Sequence, residues 1–82
     1  MTRETLQKII LNALSEICPE ADLTQLQPGV SFRDQLDIDS MDFLNFIIAV
    51  HKATKVDIPE KDYAKLFALN DCVDYLFSRV QS

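Results

Sequence analysis

Residues 36–44 read Leu-Asp-Ile-Asp-Ser-Met-Asp-Phe-Leu, and in this stretch a polar loop gives way to an apolar helix. The predicted helix covers residues 40–52 and is apolar on nearly every side, with Met41, Phe43, Leu44, Phe46, Ile47, Ile48, Ala49 and Val50. Such a helix is either central in its domain or covered on one side by partners. Because a chain of 82 residues can hardly bury it on all sides, part of its surface is predicted to dock other molecules.

Ser40 stands between acidic residues at the start of this helix. Asp39 or Ser40 is predicted to cap the helix, and Asp42 lies in the first turn, where the helix dipole favours negative charge. The hydroxyl is therefore at the positive end of the dipole, in a position suited to a phosphate group. The pattern predicts a serine that another enzyme modifies.

Three further helices are predicted around this one. Residues 2–18 carry apolar side chains at steps of three and four, which indicates one buried helix face. Thr2 is the expected N-cap, and Pro19 cannot continue the helix. A short third helix is predicted to begin at Pro59 and to end near Phe67, followed by a last helix over residues 69–80.

Residues 19–38 are predicted to form a long loop, because prolines, a glycine and polar residues interrupt any helical period there. No strand pattern competes with the helices. We therefore expect residues 1–82 to form one all-α domain, a four-helix bundle. It has three longer helices, a short third helix and a long loop between the first and second helices.

The charge and composition of the chain argue against several classes of function. The net charge is −5, with 13 acidic and 8 basic residues, which argues against binding to nucleic acid or an anionic membrane. The longest apolar run, residues 46–50, is too short to span a bilayer, and residues 1–15 lack the apolar core of a signal peptide. We expect a monomer in the cytoplasm, with Cys18 and Cys72 as reduced thiols.

Two chemical alternatives for Ser40 fail on sequence. A nucleophilic serine needs a base beside it, but the only histidine, His51, is eleven positions further along the same helix. That separation is about 16 Å along the helix axis. A calcium loop beginning at Asp37 would need an oxygen ligand, a glycine and a glutamate where Met41, Asp42 and Ile48 stand. We therefore predict no catalytic residue and no metal site.

Four features of the chain resemble one known family. Residues 36–42 resemble the Asp-Ser-Leu attachment motif of acyl carrier proteins, and residues 58–60, Ile-Pro-Glu, match the element that opens the short third helix in that family. Residues 73–76, Val-Asp-Tyr-Leu, resemble its last-helix signature. Phe32 resembles the loop phenylalanine that fills its core. The resemblance covers nearly the whole chain, in the same order.

The resemblance implies a carrier and not an enzyme. Ser40 is expected to receive 4′-phosphopantetheine from coenzyme A, attached by a separate phosphopantetheinyl transferase that uses magnesium. Family precedent makes Asp39 the residue that helps the transferase and its metal to engage the serine. The arm would hold an acyl group as a thioester and present it to acyl-loading and acyl-transferring enzymes. These enzymes would belong to a fatty-acid, polyketide or dedicated lipid or secondary-metabolite pathway.

The expected function implies two sets of residues, one that contacts the cargo and one that contacts partner proteins. The expected walls of an acyl pocket are Phe32, Phe46, Val50, Ile58, Leu66 and Leu76, and an ordinary core role is an equal alternative for each of them. The expected partner-binding surface consists of Met41, Asp42, Leu44 and Ile48, with Phe43 as a further candidate.

The chain departs from the family pattern along the second helix. Only its start is acidic, and Asn45, His51 and Lys52 stand where acidic residues are common in the family. This difference favours a dedicated pathway, with meaningless surface variation as the alternative. Two other functions stay open. One is an aminoacyl or D-alanyl carrier, and the other is a small helical interaction module whose Ser40 is never modified.

Overall fold

The computed structural model describes residues 2–80, so Met1, Gln81 and Ser82 of the predicted domain lie outside the described residues. The α-helices are α1 (Arg3–Ile17), α2 (Phe32–Gln35), α3 (Ser40–Thr54) and α4 (Leu69–Val80). Two 3₁₀ helices cover Leu23–Gln25 and Glu60–Leu66, and residues 2–80 contain no strand. The helix α1 packs against both α3 and α4. The predicted all-α helical bundle is confirmed.

The helix α1 begins and ends where its capping residues predict. The Thr2 hydroxyl accepts a hydrogen bond from the Thr5 amide at 3.1 Å, which satisfies one of the free amides of the first turn. At the other end the Cys18 amide donates to the Leu14 carbonyl at 2.9 Å. The buried face is the one that the spacing indicated, with Leu6, Ile10, Ala13 and Leu14.

The predicted loop of residues 19–38 is more ordered than its sequence indicated. It contains the 3₁₀ helix Leu23–Gln25 and the short helix α2, which Ser31 caps by accepting from the Arg33 amide at 3.3 Å. The Gln35 side-chain amide donates to the carbonyls of Gln27 at 2.8 Å and Val30 at 2.9 Å. These bonds close the loop on itself. The helix α2 was missed because four residues are too few to show a helical period.

The third predicted helix is a 3₁₀ helix, Glu60–Leu66, and not an α-helix. Pro59 lies just before it in extended conformation, with φ −69° and ψ 151°, and is not its first helical residue. The Asp62 amide donates to the Pro59 carbonyl at 2.9 Å, which is the three-residue step of this tighter helix. The segment packs against α4.

The core lies between α1, α3 and α4 and is closed by Phe32 from α2. The Phe32 and Phe46 rings meet edge to face, with centroids 5.5 Å apart. Cys72 is buried in the same core, and its Sγ donates to the Leu66 carbonyl at 3.1 Å. Burial raises the pKa of this thiol. Cys18 and Cys72 are both free thiols, as predicted.

Candidate functional site

Asp39 is the N-cap of α3, and Ser40 is the first residue of the helix. One oxygen of the Asp39 carboxylate accepts from the Asp42 amide at 2.9 Å. The Asp42 carboxylate in turn accepts from the Asp39 amide at 3.3 Å. This reciprocal pair is a capping box, and it satisfies two backbone donors at the helix start. Of the two predicted caps, Asp39 is therefore the one that forms.

The capping box leaves the hydroxyl of Ser40 available. Ser40 is exposed, and its side chain makes no hydrogen bond within residues 2–80. The backbone amides of the first helical turn and the helix dipole give this position a positive local potential. The exposed carboxylates of Asp37 and Asp39 lie on the chain just before it. A group attached to Ser40 would meet solvent directly, and an anionic group would be favoured by the backbone.

His51 does not serve Ser40 as a base. Its Nδ1 lies 2.8 Å from the Val56 carbonyl, at the opposite end of α3 from Ser40. Since a carbonyl only accepts, Nδ1 carries the proton in this contact. Asp57 stands 3.9 Å from the same nitrogen. The histidine therefore fixes the chain that leaves α3, and nothing in its position activates the serine hydroxyl.

Three of the four residues predicted to bind partners form an exposed stripe on α3. Met41 is 65% exposed, Leu44 38% and Ile48 42%, at the spacing that places them on one helix side. Asp42 is half-buried beside them. We call Met41, Leu44 and Ile48 the apolar stripe. It runs from the residue that follows Ser40 through two turns of the helix.

Phe43 does not belong to this stripe. It is 6% exposed, and its ring lies 5.1 Å from that of Phe67 and 6.2 Å from that of Tyr63, centroid to centroid. The suggestion that Phe43 adds to the docking surface is therefore wrong. The reason is that this side of α3 faces the segment between α3 and α4, which covers the ring.

The six residues predicted to line an acyl pocket divide into two groups. Five of them are fully buried core side chains: Phe32, Phe46, Val50, Leu66 and Leu76. Ile58 is half-buried and lines a groove of about 450 Å³ together with Ile47, Ile48, His51, Asp57, Pro59 and Tyr63. None of the other five residues lines this groove. In this structure the five act as core, and a cargo chain could reach them only by parting the packed side chains.

Sequence reasoning missed a polar cluster between the 3₁₀ helix Glu60–Leu66 and α4. We define the polar cluster as Asp62, Lys65, Tyr75 and Arg79. The Tyr75 hydroxyl donates to the Asp62 carboxylate at 2.6 Å, and Arg79 and Lys65 approach that carboxylate to 3.5 Å and 3.6 Å. The Arg79 guanidinium also stacks over the Tyr75 ring, 3.6 Å from its centroid.

These contacts shift two pKa values in opposite directions. The hydrogen bond from Tyr75 and the positive charges of Lys65, Arg79 and Lys61 lower the pKa of Asp62, against the opposing effect of burial. Burial and the carboxylate raise the pKa of Tyr75. Within the sequence, only the three-residue step from Asp62 to Lys65 and the four-residue step from Tyr75 to Arg79 hinted at such an arrangement.

Two features are absent from the residues that the structure describes. Within residues 2–80, no group of three or more histidine, cysteine, aspartate or glutamate side chains is arranged to hold a metal ion. Over the same range, no helix combines the length and apolar character needed to cross a membrane.

Comparison with known proteins gives consistent matches. Residues 8–76 match the family model described as phosphopantetheine attachment site. The chain is 34% identical over 70 residues to an acyl carrier protein of Acidothermus cellulolyticus, covering 82% of this chain and 83% of that protein. An acyl carrier protein of Myxococcus xanthus is also 34% identical over 70 residues, with 89% of its length covered. One from Rubrobacter xylanophilus is 30% identical, with 86% covered.

Proposed function

The chain belongs to the acyl carrier protein family, whose domain is the phosphopantetheine attachment site, and on that basis we propose that Ser40 is the residue that carries the group. Members of this family are carriers and not enzymes, and their cofactor is 4′-phosphopantetheine. We further propose that the whole chain, residues 1–82, acts as one carrier domain. The cofactor supplies a thiol at the end of a long arm, which holds cargo as a thioester.

One observation carries the assignment of Ser40. Its hydroxyl is exposed and unbonded at the start of α3, because the neighbouring Asp39 has taken over the capping of the helix. A phosphodiester on that oxygen would lie at the amide end of the helix, where the dipole favours negative charge. The residues present therefore fit the group. Ser40 is exposed, and its hydroxyl has no hydrogen bond within residues 2–80 to lose when the group is attached.

We propose that Asp39 assists the transferase and its metal ion. Only one of its carboxylate oxygens is used in the capping box, and the other makes no hydrogen bond within residues 2–80. A carboxylate next to an incoming phosphate repels it unless a cation lies between the two. Asp39 is therefore placed to share a divalent cation with the phosphate while it still holds the helix start in position.

The apolar stripe is proposed as the main docking surface for partner enzymes, with Asp42 at its edge. Three exposed apolar side chains in a row are a typical anchor for a partner pocket. The exposed acidic residues near Ser40 would guide partners that carry a basic rim. These partners include the phosphopantetheinyl transferase and the enzymes that load and remove the cargo.

The groove beside Ile58 supports an acyl cargo over an aminoacyl one. Ile47, Ile48, Ile58, Pro59 and Tyr63 make most of its lining, and such a surface shields a hydrocarbon chain from water. The end of α3 carries His51 and Lys52 in place of further acidic residues. We propose that this less acidic surface suits enzymes of a dedicated pathway more than those of a general fatty-acid synthase. We also propose that the protein is a monomer in the cytoplasm, where both thiols stay reduced.

The test is intact mass spectrometry after incubation with coenzyme A, magnesium and a broad-specificity phosphopantetheinyl transferase. The wild-type chain should gain one phosphopantetheine, Ser40→Ala none, and the control Ser78→Ala the same as wild type. A folded wild-type chain that gains no mass would contradict the proposal and favour an unmodified interaction module. A gain that persists in Ser40→Ala would place the attachment on another residue.

A further inference from the structure

A pocket that the proposed function leaves unused lies between the end of α1 and the chain just before Ser40. Its volume is about 340 Å³, and its lining includes Cys18, Ala21, Gln25, Leu26, Leu36 and Asp37. We call it the loop pocket. It shares no lining residue with the groove beside Ile58. Its size is at the lower end of the range for small-molecule sites, which is about 300–1,000 Å³.

The lining of the loop pocket favours a neutral ligand over an anionic one. Cys18, Leu26 and Leu36 are half-buried and provide apolar surface. The charged residues of the lining are all acidic and exposed: Glu20, Asp22 and Asp37. Because these carboxylates repel negative charge, free phosphates, nucleotides and organic acids are poor ligands for this pocket.

The backbone at Asp37 supplies a hydrogen-bond donor and an acceptor at the edge of the loop pocket. The chain on either side is extended, with φ −119° and ψ 144° at Leu36 and φ −102° and ψ −174° at Asp39. Neither the amide nor the carbonyl of Asp37 makes a hydrogen bond within residues 2–80. The side-chain amide of Gln25 has no partner over the same range. A ligand that carries amide groups can therefore bond to this edge, as an added strand does.

Ser40 is close enough to the loop pocket for an attached group to enter it. Asp37 stands three residues before Ser40, so their Cα atoms are at most ~11 Å apart. The pantetheine part of the proposed arm is long, flexible and neutral, and it carries amide bonds, geminal methyl groups and a terminal thiol. A tethered group has an effective concentration in the millimolar range, so it can fill a pocket that would bind free pantetheine weakly.

We propose that the loop pocket is the resting site of the phosphopantetheine arm when the arm carries no cargo. The amides of the arm then lie beside the Asp37 backbone and Gln25, its methyl groups contact Leu26 and Leu36, and its thiol lies beside Cys18. This site depends on the proposed attachment at Ser40 and concerns only the unloaded arm.

The contacts are tested by nuclear magnetic resonance on a ¹³C- and ¹⁵N-labelled chain that has received its arm from unlabelled coenzyme A. Isotope-filtered nuclear Overhauser effects should connect the geminal methyl protons of the arm to the methyl groups of Leu26 and Leu36. Their absence, or contacts to Met41 or Ile58 alone, would overturn the inference and leave the proposed function standing. A chain whose intact mass shows no added phosphopantetheine would overturn both.

The position of the thiol is tested by trapping it with oxidised glutathione. The thiolate of the arm displaces one glutathione from the oxidant, and the Cys18 thiolate then displaces the second, which leaves a disulfide between the arm and Cys18. Cys72 does not compete, because it is buried and burial raises the pKa of its thiol. Intact mass spectrometry follows both steps.

The matched control for the trap is the double variant Cys18→Ser, Ser15→Cys. It moves the thiol one turn back along α1, to an exposed position outside the loop pocket. The second step should be at least about tenfold faster in wild type than in this variant, because the docked thiol is already beside Cys18. Equal rates would show that the arm reaches both thiols only as a free tether, and would overturn the inference.

Discussion

The Asp39 carboxylate accepts a hydrogen bond from the Asp42 amide at 2.9 Å, and this contact caps α3 one residue before Ser40. The cap and the hydroxyl that we propose to be modified are thus adjacent but separate. In many helices the N-cap residue is itself a serine, and its hydroxyl is then occupied. Here the aspartate provides the cap, so that the serine oxygen faces solvent.

This separation predicts different effects for two substitutions at Asp39. Asp39→Ala removes both the cap and the charge, so it should destabilise the chain by about 1 kcal/mol and slow the loading of Ser40. Asp39→Asn keeps a good cap and loses only the charge, so it should slow loading with little change in stability. Urea denaturation and the initial rate of the mass gain measure the two effects. If Asp39→Asn loads as fast as wild type, the carboxylate has no role in the transfer.

The unbonded hydroxyl predicts that Ser40→Ala is neutral for stability. No hydrogen bond or ion pair within residues 2–80 is lost, so the free energy of unfolding should stay within ~0.5 kcal/mol of wild type. Urea denaturation checks this. A clear destabilisation would mean that the hydroxyl supports the helix start, contrary to the geometry of the capping box.

The apolar stripe predicts a loss of partner recognition without a loss of stability. Leu44→Gln should slow modification by the transferase about tenfold, as expected for a central interface side chain, while the midpoint of thermal unfolding stays close to wild type. Lys52→Gln, at the far end of the same helix, is the matched control and should be modified at the wild-type rate. Equal slowing by both substitutions would show a general charge or helix effect, and not a docking stripe.

The sequence predicts the longer helices well because their caps and apolar steps are local signals. Thr2 and Pro19 bracket the first helix, and Asp39 starts α3. The observed α3 extends two residues beyond the predicted end, to Thr54, whose hydroxyl donates to the Val50 carbonyl at 2.8 Å. Such a bond depends on the side chain's final position, and no periodic pattern reveals it.

The sequence predictions are wrong or incomplete where short stretches of sequence carry no signal for the structure. A helix that is apolar on nearly every side does not show which side faces the solvent, so Phe43 was expected on an exposed surface although it is buried. Met41, Leu44 and Ile48 are exposed. The polar cluster joins Asp62 to Tyr75, thirteen positions apart on separate elements. Only the packing of the 3₁₀ helix on α4 brings them together, and the sequence contains no pattern for that packing.

The ring of Phe32 predicts the largest single loss of stability. It is fully buried and stacks edge to face on Phe46, so Phe32→Ala should cost about 3–5 kcal/mol. That is a large part of the total stability, on the order of 4–12 kcal/mol for a chain of this length. Phe32→Leu fills most of the space and should cost less, which keeps the test informative if the alanine variant fails to fold. The half-buried Phe77 is the control, and urea denaturation of Phe77→Ala should show a clearly smaller loss.

The lowered pKa of Asp62 predicts an acid-dependent contribution to stability. The hydrogen bond from Tyr75 and the charges of Lys61, Lys65 and Arg79 favour the ionised carboxylate in the folded state. A folded pKa below the ordinary value of 3.8 gives a stabilisation that is fully present above that value and is lost as the pH falls through the folded pKa. Asp62→Asn should therefore be less stable than wild type at pH 7, and the difference should shrink steadily below about pH 4. Urea denaturation as a function of pH measures it, and a difference independent of pH would exclude the carboxylate's charge as its source.

The backbone conformation just after α3 predicts that one substitution there raises the free energy of unfolding. Lys55 follows the helix with φ 62° and ψ 19°, and it is the one residue other than glycine with positive φ in residues 2–80. A side chain in this left-handed conformation is strained, whereas glycine adopts it freely. Lys55→Gly should therefore raise the free energy of unfolding by up to ~1 kcal/mol, which urea denaturation measures. Lys52→Gly is the control within the helix and should lower it by about the same amount, because glycine costs entropy where φ is negative. If both substitutions destabilise the chain, Lys55 makes a contact that outweighs its backbone strain.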